Sequence, residues 1–148
     1  MMKKFEQLPH TADIKIRVYG KTKEELFRNS LYGMFSIVGP HVPSSCKKVG
    51  EYIVCDDLPK KHIVEVMAPD IDALLVDFLS EALYLSDVHN QAYFDVAIDQ
   101  LTDTNIKAVI KGVAITGFDV VEIKAVTYHD LVIKHVDDVW QTDIVFDI

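Results

Sequence analysis

At 148 residues, 49% hydrophobic and 26% charged, the chain has the size and composition of one globular domain with a single substantial core. Its 23 acidic against 15 basic residues leave a formal charge of -8, which opposes non-specific binding to a phosphate backbone and leaves RNA to be engaged only indirectly. No apolar run reaches the roughly 20 residues of a membrane span, and Met1-Met2-Lys3-Lys4-Phe5 leads into polar residues rather than an apolar signal core, so a cytoplasmic location away from membranes is expected.

Phe5 to Leu8 reads as a short strand ended by Pro9. From Ile14 to Tyr19 apolar and polar residues alternate, which predicts a second strand, closing at Gly20, with Ile14, Ile16 and Val18 on its buried face. Thr22-Lys23-Glu24-Glu25 has the form of a capping box, and Leu26, Phe27, Leu31, Met34 and Phe35 follow at three- and four-residue intervals. This spacing predicts a helix with one apolar stripe against the sheet, stopped by Gly39-Pro40. Lys48 to Cys55 and His62 to Ala68 read as two strands of a hairpin across Asp56 to Lys61. Cys46 and Cys55 lack CxxC spacing, so neither a zinc knuckle nor a redox pair is expected; the sequence leaves a disulfide open, and a cytoplasmic location would keep it reduced.

Asp70 is placed to cap a second helix, with Asp72 in its first turn and Leu74, Leu75, Phe78, Leu79, Ala82 and Leu83 as a broad apolar face. Asp77 falls on the other side, as a surface charge. Strands are predicted over Tyr93 to Asp99, Asn105 to Val113, Val120 to Thr127, Leu131 to Val136 and Val139 to Phe146, with Asp137-Asp138 as the last hairpin turn. Runs of strands interrupted by two helices, without alternating units, predict a single α+β domain over residues 1–148, mainly antiparallel sheet packed with two amphipathic helices.

Phosphate-cradling motifs are missing: there is no GxxxxGK[ST] or GxGxxG, and the serine hydrolase elbow is absent. The six histidines show no HxH or HxxxH spacing, so a histidine-rich zinc site has little support. Carboxylates are the stronger lead. Asp13 stands at the mouth of the second strand, and the last strand ends at Asp147 followed by Ile148. If those two strands are neighbours, the side chains of Asp13 and Asp147 and the main-chain carboxylate of Ile148 meet at one edge. Three anionic groups so placed repel unless a cation lies between them, and an all-oxygen set suits a hard divalent cation: calcium, magnesium or manganese.

The chain resembles the archease family in four segments that occur in the family's order: His10-Thr11-Ala12-Asp13, Leu74-Leu75-Val76-Asp77-Phe78-Leu79, Lys124-Ala125-Val126-Thr127-Tyr128-His129 and Asp147-Ile148. The resemblance implies a metal-binding protein, calcium foremost, whose ligands are Asp13, Asp147 and Ile148. It further implies a partner, the RtcB-type GTP-dependent tRNA-splicing ligase, whose guanylylation and multiple turnover such a protein promotes without being an enzyme itself. His10, Lys124 and His129 lie in or beside the family-like segments and are candidates for contact with that partner or with a guanylate. Two features depart from the family: the loop Gly117-Phe118-Asp119 is short, and Asp130 stands where glycine is expected. Other classes compatible with the same carboxylates are a metal-dependent phosphoesterase, for which no general acid or base or arginine cluster can be named, and a chaperone-like binding module with a structural metal.

Overall fold

The computed structural model describes residues 3–9, 13–118 and 121–148. Ten strands and two helices follow one another as β1 (Phe5–Leu8), β2 (Ile14–Gly20), α1 (Lys23–Ile37), β3 (Cys46–Val49), β4 (Tyr52–Cys55), β5 (Lys60–Met67), α2 (Ile71–His89), β6 (Gln91–Leu101), β7 (Asn105–Ala114), β8 (Ala125–Val126), β9 (Lys134–Val136) and β10 (Val139–Asp147). Every strand pair is antiparallel. One sheet runs β1-β2-β10-β8, with β9 also on β10; a second runs β5-β7-β6; β3 and β4 form a separate ribbon. The α+β expectation of antiparallel sheet and two helices therefore holds.

Helix α1 begins as its sequence dictates: Thr22 accepts a hydrogen bond from the Glu25 amide, and the Glu25 carboxylate reaches back to the Lys21 amide. It is not covered on one stripe only. The helix packs on β2 on one side and on β6 on the other, so Leu26, Phe27 and every residue from Asn29 to Ser36 are buried. Its polar residues are accommodated within the core: Asn29 donates to the Tyr19 carbonyl, and Ser30 to that of Leu26. The Tyr32 hydroxyl donates to the Ile53 carbonyl and accepts from its amide, which pins the β3–β4 ribbon to the helix. Helix α2 is capped by Asp70, whose carboxylate accepts from the Ala73 amide, and ends at Asn90 in the left-handed region. Leu74, Leu75, Phe78, Leu79 and Ala82 are buried, with Leu83 at the margin of the core.

Five expectations are corrected. Lys48 to Cys55 is not one strand, because Gly50, at φ 62°, folds it into the tight β3–β4 hairpin. Strand β5 pairs with β7 rather than β4, a pairing of distant segments that local pattern does not reveal. Cys46 and Cys55, opposite one another across that hairpin, are joined in a disulfide instead of standing reduced. Of the stretch expected as a strand from Val120 to Thr127, only Ala125–Val126 is strand, and Val120 lies outside the described residues. The expected strand from Leu131 is shortened to Lys134–Val136; Leu131 is buried as part of the core. Asp137 and Asp138, at φ 50° and 63°, form the tight turn before β10.

Gly112 of β7 is the tightest backbone approach in the second sheet: a Cβ there would lie 1.9 Å from the Ala92 carbonyl oxygen. Because the obstruction is backbone, it cannot swing aside as a side chain could. Gly112→Ala is expected to destabilise the fold by about 2 kcal/mol or more, read as a lower urea midpoint at unchanged slope.

Candidate functional site

Strands β2 and β10 run antiparallel in one continuous register, from Trp140 opposite Gly20 to Phe146 opposite Ile14. Ile14, Ile16, Val18, Ile144 and Phe146 of these two strands face the core. Alternation sends Lys15, Arg17, Asp143 and Val145 to the other face; Asp13 immediately precedes β2, and Asp147 follows the last residue of β10 that pairs with it. The two positions thus lie at the same end of this strand pair. On the next strand Asp147 pairs with Ala125. The Asp147 carbonyl accepts the Lys124 amide at 2.8 Å, and that of Val145 accepts the Thr127 amide at 3.0 Å.

Charge on this face is ordered along the strands. Asp143 receives Arg17 in a two-pronged pair, Nε to Oδ1 at 2.8 Å and Nη2 to Oδ2 at 3.1 Å, with Lys15 Nζ 4.0 Å away. The bond to Asp143 raises the Arg17 pKa still further above its ordinary value. Asp147 makes no ion pair among the described residues. Among the described residues no three His, Cys, Asp or Glu side chains gather into a metal-holding group. The predicted set has two side chains and takes its third ligand from the main-chain carboxylate of Ile148, a residue that is partly exposed. The donors fit a hard divalent cation in chemistry, being oxygen only.

The remaining candidates separate. His10 lies outside the described residues, together with Thr11 and Ala12. Lys124 is exposed on the segment next to Asp147. His129 is exposed beyond β8, and its ring lies 3.1 Å from the Asp130 carboxylate in a pair too solvated to hold the loop. Asp130 adopts φ 53°, a left-handed conformation that glycine takes most freely and Asp tolerates, which accounts for glycine being the expected residue.

Sequence reasoning missed what fastens this block to α2. Asp77, expected as a plain surface charge, accepts the hydroxyl of Tyr128, and Asp72 accepts the Ile133 amide at 2.9 Å. Both carboxylates leave the same helix, five residues apart, and together they hold the segment from 127 to 133 against it. Neither contact had a local signal, because each joins residues more than fifty positions apart. Beside this clamp, between the end of α1, helix α2 and the segment after β7, lies a cavity of about 510 Å³. Its wall is apolar, with Phe35, Val38, Leu83, Ile115, Ile123 and Val126, and Tyr84, Asp87, Phe118, Glu122 and Lys124 also line it.

The chain was compared with known proteins. The archease protein family matches residues 5–148. The protein archease of Methanosarcina barkeri is 35% identical over 99% of this chain and 97% of its own length, and that of Pyrococcus furiosus is 32% identical over 99% of this chain and 100% of its own. Among solved structures, that of Methanobacterium thermoautotrophicum protein 1598 superposes with a TM-score of 0.74 at 27% identity, covering 99% of this chain and 100% of that one. An archease of Thermotoga maritima, described as a possible chaperone, shares the fold with a TM-score of 0.62 at 20% identity, covering 100% of this chain and 98% of that one.

The Tyr128 hydroxyl, by donating to Asp77, has its pKa raised above the ordinary phenol value, with burial adding to the effect. Its contribution to stability is therefore complete below the ordinary phenol pKa and is lost as pH rises through the raised one. Asp77→Asn should bring the Tyr128 phenolate titration back down, followed by ultraviolet absorbance against a Tyr128→Phe reference.

Proposed function

The chain belongs to the archease family, and on that premise we propose that it is a metal-binding protein cofactor of an RtcB-type GTP-dependent RNA ligase, promoting guanylylation of the ligase and its repeated turnover in tRNA splicing and RNA repair. The observation that supports this reading is the β2–β10 pairing, which brings the chain positions of Asp13 and Asp147 to the same end of two neighbouring strands, beside the family-like block that includes Lys124. Asp13, Asp147 and the main-chain carboxylate of Ile148 would hold a divalent cation, calcium first, with manganese or magnesium as alternatives. When bound, such an ion supplies a positive centre able to neutralise phosphate or carboxylate charge where two acidic surfaces meet.

This chain's own residues have separate tasks in that reading. Asp13 and Asp147 bind, and Arg17 and Lys15 are paired with Asp143 further along the same strands. Lys124 presents a cation toward a guanylate, and Asp77 and Asp72 hold the Lys124–Ile133 segment in place from α2. The formal charge of -8 suits approach to a basic protein surface rather than to RNA directly. A cytoplasmic location follows from the ligase reading, and no helix among the described residues is long and apolar enough to cross a membrane.

The test uses the full chain with a purified RtcB-type ligase and GTP. The expected result is faster ligase guanylylation and multiple turnover, with no phosphoester hydrolysis by this protein alone; hydrolysis by the isolated chain would support the phosphoesterase class instead. Asp13→Asn and Asp147→Asn should each weaken calcium or manganese binding about tenfold or more, near 1.4 kcal/mol, by calorimetry. Extending the chain beyond Ile148 should do the same, and unchanged affinity in all three variants would remove the metal assignment.

A further inference from the structure

We infer that the cavity between the end of α1, helix α2 and the segment after β7 is a binding site for a guanine nucleotide. Its volume, about 510 Å³, falls within the range of small-molecule sites, and an apolar wall with a few converging polar groups is the ordinary make-up of such sites. Tyr84 and Phe118 are aromatic rings left 61% and 36% exposed along its lining, where most large apolar side chains of this protein are covered. Exposed rings of this kind stack on the faces of nucleobases.

The charged groups select among bases. Asp87 and Glu122 are exposed and line the same cavity. Ionised carboxylates only accept hydrogen bonds. Guanine offers two adjacent donors, N1–H and the N2 amino group, which one carboxylate can take together. Adenine places a ring nitrogen lone pair next to its amino group, so the same carboxylate gains one bond and meets a repulsion. Lys124 is the lining cation, and an ammonium is a point charge suited to phosphate. With no glycine-rich loop in the chain, the phosphate must be held by a side chain rather than by a cradle of amides. The ligase reading explains why a guanine nucleotide would be useful here, but binding to the isolated chain stands or falls separately.

Calorimetric titration of the full chain with GMP, AMP and guanosine tests the site. GMP should bind at least about tenfold tighter than AMP, a difference of about 1.4 kcal/mol. Asp87→Asn or Glu122→Gln should erase that preference, and Lys124→Ala should weaken GMP while leaving guanosine unchanged. All three positions are exposed, so the variants fold. No binding of GMP at millimolar concentration, equal binding of GMP and AMP, or indifference to all three substitutions would overturn the assignment. Stimulation of the ligase by a chain that binds no GMP would sink this site and leave the ligase reading intact; selective GMP binding without stimulation would do the reverse. If GMP does not bind and filling the cavity by Leu83→Trp abolishes stimulation, the cavity instead receives a side chain of the ligase, and the nucleotide assignment is wrong.

Discussion

The pairing of β2 with β10 is the constraint on which the rest of this molecule depends. It joins residues 120 or more positions apart, and it is specified twice over. On one face Ile14, Ile16 and Val18 meet Thr142, Ile144 and Phe146 in the core; on the other, Arg17 clasps Asp143 directly across the ladder. A slip of one residue would turn the apolar set outward and separate the ion pair, so neither error is tolerated. The partly buried Arg17–Asp143 pair adds direction to a register already demanded by burial.

That register has an electrostatic consequence at its end. Arg17 and Lys15 in the middle of the face are paired with Asp143, and the acidic residues Asp13 and Asp147 stand at the end of the same two strands.

A second arrangement forms where the sheet containing β10 meets α2. The helix is held by its apolar face in the core, and its acidic residues Asp72 and Asp77 reach out to fasten the segment after β8. Because that segment is mostly irregular, its position depends on these contacts and on the short β8–β10 pairing. The cavity lies next to it, walled by the ends of both helices, and its polar lining comes from loop and helix residues that no single stretch of sequence groups together.

The sequence by itself determined the local elements and their chemistry. Alternation marked β2, capping residues marked the starts of both helices, Asp137-Asp138 marked the last turn, and Asp13 and Asp147 stood out as carboxylates at strand ends. These follow from short-range physics: period, caps and turn conformations act over a few residues. Only the tertiary structure decided which strands pair, that α1 is covered by two sheets instead of one, that Cys46 and Cys55 are bonded, and that Asp77 meets Tyr128. Those outcomes come from closing long loops and burying shared surface, and one amphipathic pattern is compatible with many ways of doing that, so no local signal could have chosen among them.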